Sequence, residues 1–248
     1  MDMEKISKAQ IKTVRSLQVK KFRDELGLFV AEGDKCVSEL TKAFELVHLY
    51  REGENATRTE IEQMSGLRTP QGVIGVFKKR ELSTLNFQLS TLILALDGVQ
   101  DPGNLGTIIR TCDWFGVHDI VCSLDTADCY NPKVVQATMG ALARVRLHYV
   151  DLVKWLTAKS QEPTAIYGTL LEGRDMYEVM AKGEGLKANG VIVMGNEGNG
   201  ITQEVRSLIT HPIRIPSYPK NAETSESLNV SIATAIVLAE FRRRSSAL

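Results

Sequence analysis

Short apolar runs alternate with helix-type patterns along most of this chain, and this alternation constrains the fold more than any other feature. The runs at residues 92–96 and 191–194 are five and four residues long, a length that suits strands buried on both faces of a parallel sheet. Between the runs, apolar residues recur at spacings of three and four, as they do on amphipathic helices. Successive βα units predict an α/β fold with a mostly parallel sheet.

The chain divides into two parts near residue 85. A polar, irregular stretch at residues 78–90 separates a short α/β pattern from a longer one. The chain length of 248 residues fits one domain with a small accessory domain. We therefore predict an N-terminal domain over residues 1–85 and a larger domain over 86–248. In the first domain a helix is expected at 34–44, with Asp34 as its N-cap.

The last predicted helix, at residues 228–243, is small or apolar on most of its circumference. Such a helix has to be buried in its own domain, in a dimer interface, or in both.

Several classes of protein are excluded by composition and pattern. No apolar stretch approaches the length of about 18 residues that crosses a membrane. The first twelve residues carry charged side chains from the second position on, and they lack the apolar segment of a secretory signal. A cytoplasmic protein is therefore expected. Four cysteines without a CxxC pair and four scattered histidines predict neither a disulfide framework nor a metal site.

Charge is distributed unevenly although the formal net charge is zero. Residues 1–23 carry seven basic side chains against two acidic ones, whereas residues 24–62 carry ten acidic against four basic. The basic segment is either a phosphate-binding surface or a solvated helix face, and both interpretations stay open.

The first segment whose residues are suited to binding or catalysis is DPGNLGTIIR, residues 101–110. It follows a predicted strand and opens a helix. Ligands of open α/β sheets bind at the carboxyl ends of the strands. Asn104 is expected to cap the helix. Arg110 lies at the edge of the apolar stripe, where its guanidinium either reaches back to the strand ends or faces solvent.

The second segment, residues 191–201, is an apolar strand that runs into a turn with three glycines, Gly195, Gly198 and Gly200. Glycines let the backbone approach a ligand closely. The spacing is GxxGxG instead of the GxGxxG of dinucleotide sites, and the next strand has no ribose-binding acid, which counts against a Rossmann-like enzyme. Glu197 within this turn is either a functional carboxylate or an ordinary turn residue.

The third segment joins Ile215 and Pro216 to a serine-rich stretch before the last helix. Ser225 or Ser227 is expected to cap that helix. Asn229 is expected in its first turn, where a buried amide needs hydrogen-bond partners.

In their order, these three segments resemble the signature motifs of the SpoU (TrmH) family of RNA ribose 2′-O-methyltransferases, in the SPOUT superfamily. The matching stretches are NLGTIIR (104–110), GNEGNGI (195–201), and IP with SLNVS (215–216 and 227–231). The resemblance covers roughly residues 90–244. FVAEG (29–33) and TPQG (69–72) look like the family's ribosomal-protein-like N-terminal domain, which binds the RNA substrate. The resemblance implies a SPOUT-type parallel sheet with a C-terminal trefoil knot.

It also implies an activity: S-adenosylmethionine-dependent 2′-O-methylation of a ribose in structured RNA, with ribosomal RNA as the expected substrate, by a homodimer that needs no metal. The implied catalytic residues are Asn104, Arg110, Glu197, Ser227 and Asn229. The implied residues for the methyl donor are Thr169, Leu170, Gly195, Asn196, Ile215, Pro216 and Leu228. A tRNA ribose methyltransferase and a non-catalytic RNA-binding protein of the same fold are the alternatives.

Overall fold

The computed structural model describes residues 6–80, 92–181, 190–219, 225 and 227–245. Strands and helices alternate through most of these residues, as the apolar periodicity predicts. The strands are β1 (Leu28–Glu32), β2 (Leu46–Arg51), β3 (Val73–Lys78), β4 (Leu92–Leu96), β5 (Asp119–Ser123), β6 (Arg146–Val150), β7 (Ala165–Asp175), β8 (Gly190–Met194) and β9 (His211–Arg214). The helices are α1 (Lys8–Ser16), α2 (Lys20–Leu26), α3 (Asp34–Thr41), α4 (Arg58–Met64), α5 (Pro102–Trp114), α6 (Pro132–Thr138), α7 (Leu152–Ser160), α8 (Met176–Ala181), α9 (Gln203–Arg206) and α10 (Val230–Ser245), with one 3-10 turn at Ala141–Ala143.

The described residues form two compact units. Residues 6–80 and 128–144 belong to the first unit, and the remaining described residues belong to the second. The division expected at residue 85 lies outside the described residues. The sequence pattern assigns residues 128–144 to the C-terminal domain, whereas in the structure this segment packs in the N-terminal unit. An excursion of this kind leaves the order of elements unchanged, so periodicity along the chain does not reveal it.

The N-terminal unit is built on an antiparallel sheet with the strand order β1-β3-β2. Helix α3 begins at Asp34, so this residue is not the N-cap that the sequence pattern predicted. Gly33 occupies the cap position with a φ of 89°, a conformation that favours glycine. On one face of the sheet, the core consists of Val14, Leu17, Val30, Tyr50, Ala56, Ile61, Met64, Ile74 and Val76.

A buried ion pair holds residues 128–144 in this unit. The guanidinium of Arg23 is 2% exposed, and its Nη2 lies 2.7 Å from Oδ2 of Asp128. Its Nη1 donates hydrogen bonds to the carbonyls of Leu17 at 2.9 Å and Gln18 at 3.0 Å. Because each of these donors has an acceptor, the buried charge is compensated, and α2 is tied to a segment more than a hundred residues away.

The C-terminal unit is built on a parallel six-stranded sheet with the order β6-β5-β4-β8-β7-β9. The chain adds β5 and β6 on one side of β4 and the later strands on the other, so the strand order reverses between β4 and β8. Leu96 and Met194 pair at the carboxyl ends of these two strands. Such a switch point opens a crevice for ligands. The trefoil knot implied by the family resemblance stays a prediction.

Helix α10 is buried on one side only. Val237 and Leu238 are fully buried, whereas Ile232 is 51% exposed. The helix packs against α5, and Arg242 donates hydrogen bonds to the carbonyls of Phe115 and Gly116. Within the described residues, no helix combines the length and apolar character that a membrane span requires.

Substituting Arg23→Ala is expected to lower the free energy of unfolding by about 3 to 5 kcal/mol, because Asp128 and two carbonyls lose a buried cationic donor. Urea unfolding followed by far-UV circular dichroism measures the change. Lys21→Ala is the matched control, since its ion pair with Glu25 is long (3.8 Å) and exposed, and its loss should cost less than about 1 kcal/mol. Equal effects of the two substitutions would contradict the anchoring role of Arg23.

Candidate functional site

Three chain segments meet at the carboxyl edge of the parallel sheet. The loop after β4 leads into α5, the loop after β8 leads into α9, and the start of α10 lies against the first turn of α5. Because β4 and β8 are neighbours, their loops emerge side by side. The three sequence segments of interest are therefore brought together by the strand order.

Asp101, and not Asn104, caps helix α5. The side chain of Asp101 accepts a hydrogen bond of 2.8 Å from the backbone N–H of Asn104, and Pro102 occupies the first turn. Proline is favoured at the first helical position, directly after the N-cap. The expectation that Asn104 caps the helix is therefore wrong. Its side-chain amide is instead available for contacts with the other two segments.

Glu197 connects the turn after β8 to the loop after β4. Its Oε1 accepts hydrogen bonds from Nδ2 of Asn104 at 3.0 Å and from the backbone N–H of Asp101 at 3.2 Å. Its Oε2 accepts one from the backbone N–H of Gln100 at 3.3 Å. The carboxylate thus holds both the loop backbone and the amide of Asn104.

These hydrogen bonds keep Glu197 ionised. Partial burial raises the pKa of its carboxyl group, but hydrogen bonds from Asn104 and from the backbone N–H groups outweigh this effect, so the net pKa lies below its ordinary value. The carboxylate therefore stays ionised to a lower pH than that of an ordinary glutamate. It is lost only when the pH falls through the lowered pKa.

Asn229 extends this network to the third segment. Its Nδ2 donates a hydrogen bond of 2.9 Å to Oδ1 of Asn104. Its Oδ1 accepts hydrogen bonds from the backbone N–H of Ser231 at 2.9 Å and from the Ser231 hydroxyl at 2.6 Å. A chain of hydrogen bonds accordingly runs from Glu197 through Asn104 to Asn229. We call these three side chains the amide network.

The start of α10 differs from the sequence prediction. The helix begins at Val230, so neither Ser225 nor Ser227 caps it. Asn229 takes the capping role: its carbonyl accepts the backbone N–H of Ala233 at 2.9 Å, and its side chain serves the first helical turn. Asn229 is exposed, not buried in the first turn as expected, although its side chain has the predicted partners.

Asn196 and Asp97 form two further hydrogen bonds between the loop after β4 and the loop after β8. Nδ2 of Asn196 donates a hydrogen bond of 2.6 Å to the carbonyl of Gly98. Asp97, which is 5% exposed, accepts a hydrogen bond of 2.7 Å from the backbone N–H of Thr202. Asp97 and Asp101 were not among the site residues predicted from the sequence. Their positions could have identified them, because Asp97 directly follows an apolar strand and Asp101 directly precedes a proline.

Gly195 is required by close packing of this turn. A Cβ atom at this position would lie 2.3 Å from the backbone carbon of Gly200, so any side chain would displace the backbone. The backbone groups of Asn196 and Gly200 are hydrogen-bonded to each other in both directions, which closes the turn.

Arg110 and Ser227 stay outside the amide network. Arg110 lies on the exposed side of α5, and among the described residues its guanidinium has no hydrogen-bond or ion-pair partner. Ser227 is exposed two residues before Asn229, and in the described part of the chain no hydrogen bond joins it to the network. Within the described residues, the structure therefore brings together three of the five expected catalytic side chains, and the other two lie outside the network.

Most of the residues expected to bind the methyl donor lie on or directly after three adjacent strands. In the sheet, β8 pairs with β7 and β7 pairs with β9, and Thr169 is in register with Ile213. The Thr169 hydroxyl donates to the carbonyl of Val193 at 3.4 Å. Thr169 and Leu170 lie within β7, just after its pairing with β8 ends at Gly168. Gly195 and Asn196 directly follow β8, and Ile215 and Pro216 directly follow β9. Leu228, from the third segment, is 48% exposed.

Comparison with known proteins shows which family has this arrangement. Residues 91–239 match the SpoU rRNA Methylase family, and residues 8–57 match the MRM3-like substrate binding domain. The 23S rRNA (guanosine(2553)-2'-O)-methyltransferase RlmP of Bacillus subtilis (strain 168) is 26% identical over 257 residues, which cover 97% of this chain and 98% of the relative.

Two solved structures resemble the whole chain. A TrmH-family protein from Porphyromonas gingivalis is 36% identical with a TM-score of 0.87, over 97% of this chain and 99% of that one. An AdoMet-bound rRNA methyltransferase from Sinorhizobium meliloti is 30% identical with a TM-score of 0.83, over 96% of each chain. These likenesses confirm the predicted α/β fold class with a parallel sheet. Because the family match covers more than half of the chain, the chain belongs to the SpoU rRNA methylase family.

Proposed function

We propose that this protein transfers the methyl group of S-adenosylmethionine to the 2′-hydroxyl of a ribose in ribosomal RNA. The observation that carries the proposal is the amide network, which joins all three family motifs at the switch point of the sheet. Ribosomal RNA is favoured as the substrate because the RlmP relative, named for 23S rRNA methylation, covers nearly the whole chain, including the N-terminal unit. The cytoplasmic location expected from the sequence belongs to the same proposal.

The strand ends suit a donor that is held mainly by backbone groups and apolar contacts. Gly195 lets the backbone of the turn after β8 close tightly, and Leu228 offers a half-exposed apolar side chain. Ile215 and Pro216 are half-buried at the end of β9. When bound, S-adenosylmethionine supplies a methyl group on a sulfonium, so the protein has to align this group with the ribose oxygen and favour loss of the hydroxyl proton.

Arg110 is suited to hold the RNA, not to accept a proton. A guanidinium stays protonated in proteins and presents a planar set of donors that fits phosphate oxygens. The Arg110 side chain is exposed and its donors are uncommitted among the described residues. Arg110 therefore neutralises a phosphate next to the target ribose, and Ser227 provides a further hydroxyl to the same substrate.

Glu197 is a positioning residue in this scheme. Both of its oxygens accept hydrogen bonds from the loop after β4, so the carboxylate orients the amide of Asn104 instead of touching the ribose. Asn104 and Asn229 then present fixed amide groups beside the donor site.

A homodimer is part of the proposal. On α5, which packs against α10, Trp114 is 84% exposed, and on α10 Ile232 is 51% exposed. A second copy of the chain packed on these two helices would cover both side chains. A second copy of the chain is the partner implied by the family resemblance.

Labelled methyl transfer from S-adenosylmethionine to ribosomal RNA, taken from cells that lack the protein, tests the function. We expect label in a 2′-O-methylated nucleoside. Arg110→Ala should lower the turnover rate by about 100-fold or more, because a charged contact to the reacting RNA is lost. Calorimetry should show unchanged donor affinity for this variant. Wild-type turnover by Arg110→Ala would contradict its role, and a wild-type protein that neither binds the donor nor labels RNA would contradict the function.

Glu197→Gln should lower the turnover rate by about 10- to 100-fold. The amide nitrogen of glutamine cannot accept a hydrogen bond, so one backbone N–H of the loop after β4 loses its acceptor. Such a loss costs about 1 to 3 kcal/mol. Glu204→Gln on α9 is the matched control, since this carboxylate is exposed, and its rate should stay near that of the wild type. Steady-state kinetics with saturating donor provide the measurement. A Glu197→Gln enzyme as fast as the control would show that the network does not position the site.

Trp114→Glu and Ile232→Glu, tested separately, should convert a dimer into a monomer, because each introduces a charge into an apolar contact. Light scattering at micromolar concentration should give about twice the chain mass of 27.4 kDa for the wild type and about that mass for the variants. Leu124→Glu is the control, because Leu124 is 73% exposed on another element of the same unit. A monomeric wild type would contradict the dimer.

A further inference from the structure

Three cations form a stripe on one face of helix α1. Lys8, Lys12 and Arg15 occupy positions i, i+4 and i+7, which share one side of an α-helix. All three are exposed, and the sequence of the helix, KAQIKTVRS, contains no acidic residue. At a rise of 1.5 Å per residue, the stripe extends about 10 Å along the helix axis.

These cations differ from most others in the N-terminal unit because they have no carboxylate partner in the described part of the chain. Lys42, Arg58 and Lys78 are also exposed, but each lies within 3.2 Å of a glutamate oxygen. Within the described residues, no ion pair involves Lys8 or Lys12. Among the residues that the structure describes, the positive charge of the stripe is therefore not balanced by an ion pair.

Arg68 adds a fourth exposed cation, in a loop that contacts the end of α1. The guanidinium of Arg15 donates a hydrogen bond to the carbonyl of Ser65, and the Gln18 side chain packs against Gly66 so closely that a Cβ there would meet it. These contacts hold the loop at residues 65–68 against the end of α1. Arg68, at the end of this loop, is exposed and has no ion pair in the described part of the chain.

The acidic residues of the neighbouring helix α4 are already engaged. Glu60 accepts hydrogen bonds from the backbone N–H and hydroxyl of Thr57, and Glu62 pairs with Arg58 at 2.8 Å. In the described part of the chain, neither carboxylate forms an ion pair with a cation of α1.

The helix that carries the stripe is held rigidly. The Ser7 hydroxyl accepts from the backbone N–H of Gln10, while the Gln10 side chain accepts from the backbone N–H of Ser7, which closes a capping box. Val14 and Leu17 are buried in the core of the unit. Because the scaffold is already ordered, an anion bound along this face costs little ordering of the backbone.

From these observations we infer that Lys8, Lys12, Arg15 and Arg68 bind the phosphate backbone of the RNA substrate. The inference rests on the proposed function, which it deepens by giving the RNA a specific docking face on the N-terminal unit. The chain has a net charge of zero, so affinity for a polyanion has to come from a local group of uncompensated cations. RNA backbone contacts of this kind are independent of sequence and weaken as salt displaces them.

The test compares two triple variants with the same loss of charge. Lys8→Gln, Lys12→Gln and Arg68→Gln together remove cations of the stripe, whereas Arg15 is kept because it supports the loop. Lys42→Gln, Arg58→Gln and Lys78→Gln together remove three exposed, paired cations from the same unit and serve as the control. The probe is a fluorescent RNA hairpin of arbitrary sequence, titrated at several salt concentrations. Thermal unfolding midpoints confirm that both variants are folded.

The stripe variant should bind the hairpin more weakly than the wild type, with a salt slope smaller by about two to three, since each lost phosphate contact contributes about 0.7 to 0.9. The ratio of the wild-type affinity to the affinity of the stripe variant should fall about 20- to 40-fold when the salt concentration rises from about 50 to 200 mM. The control should keep the affinity and slope of the wild type.

Equal binding by the stripe variant and the control would overturn the inference. Methyl transfer to ribosomal RNA by the wild-type protein is measured in parallel. Its absence would contradict the proposed function, while the hairpin titration still decides for or against the stripe.

Discussion

The hydrogen bonds accepted by Glu197 are the constraint on which the site depends. Two backbone N–H groups and the amide of Asn104 converge on one carboxylate, so the loop after β4 has a single arrangement relative to the turn after β8. Asn104 in turn sets the position of Asn229 and hence the start of α10. Charge-assisted hydrogen bonds are stronger than neutral ones, which explains how an exposed carboxylate can organise three segments.

The parallel sheet makes this convergence possible. Strands β4 and β8 are almost a hundred residues apart in the chain, yet they pair directly and end at the same edge of the sheet. The buried carboxylate of Asp97 and the amide of Asn196 add two further links between the same loops. The site thus rests on a buried core, and the exposed side chains of Arg110 and Ser227 lie outside the amide network.

Much of the fold was predictable because burial leaves a regular signal. Strands β4, β5 and β8 are buried at every position and appear in the sequence as apolar runs. Strand β6 was missed, because its sequence RLHYV carries polar residues and only His148 is buried. The caps were misassigned at Asp34, Asn104 and Ser227, because several capping residues stand near each helix start and only the backbone conformation selects among them.

The sequence alone determined the alternation of strands and helices, the family motifs and the identity of the side chains that form the site, because these follow from residue type and local spacing. Only the tertiary structure decided that Asp101 caps α5 and thereby leaves Asn104 to join Glu197 and Asn229. It also decided that residues 128–144 pack in the N-terminal unit through Asp128 and Arg23. Both outcomes depend on contacts between residues distant in the chain, and local patterns carry no information about such contacts.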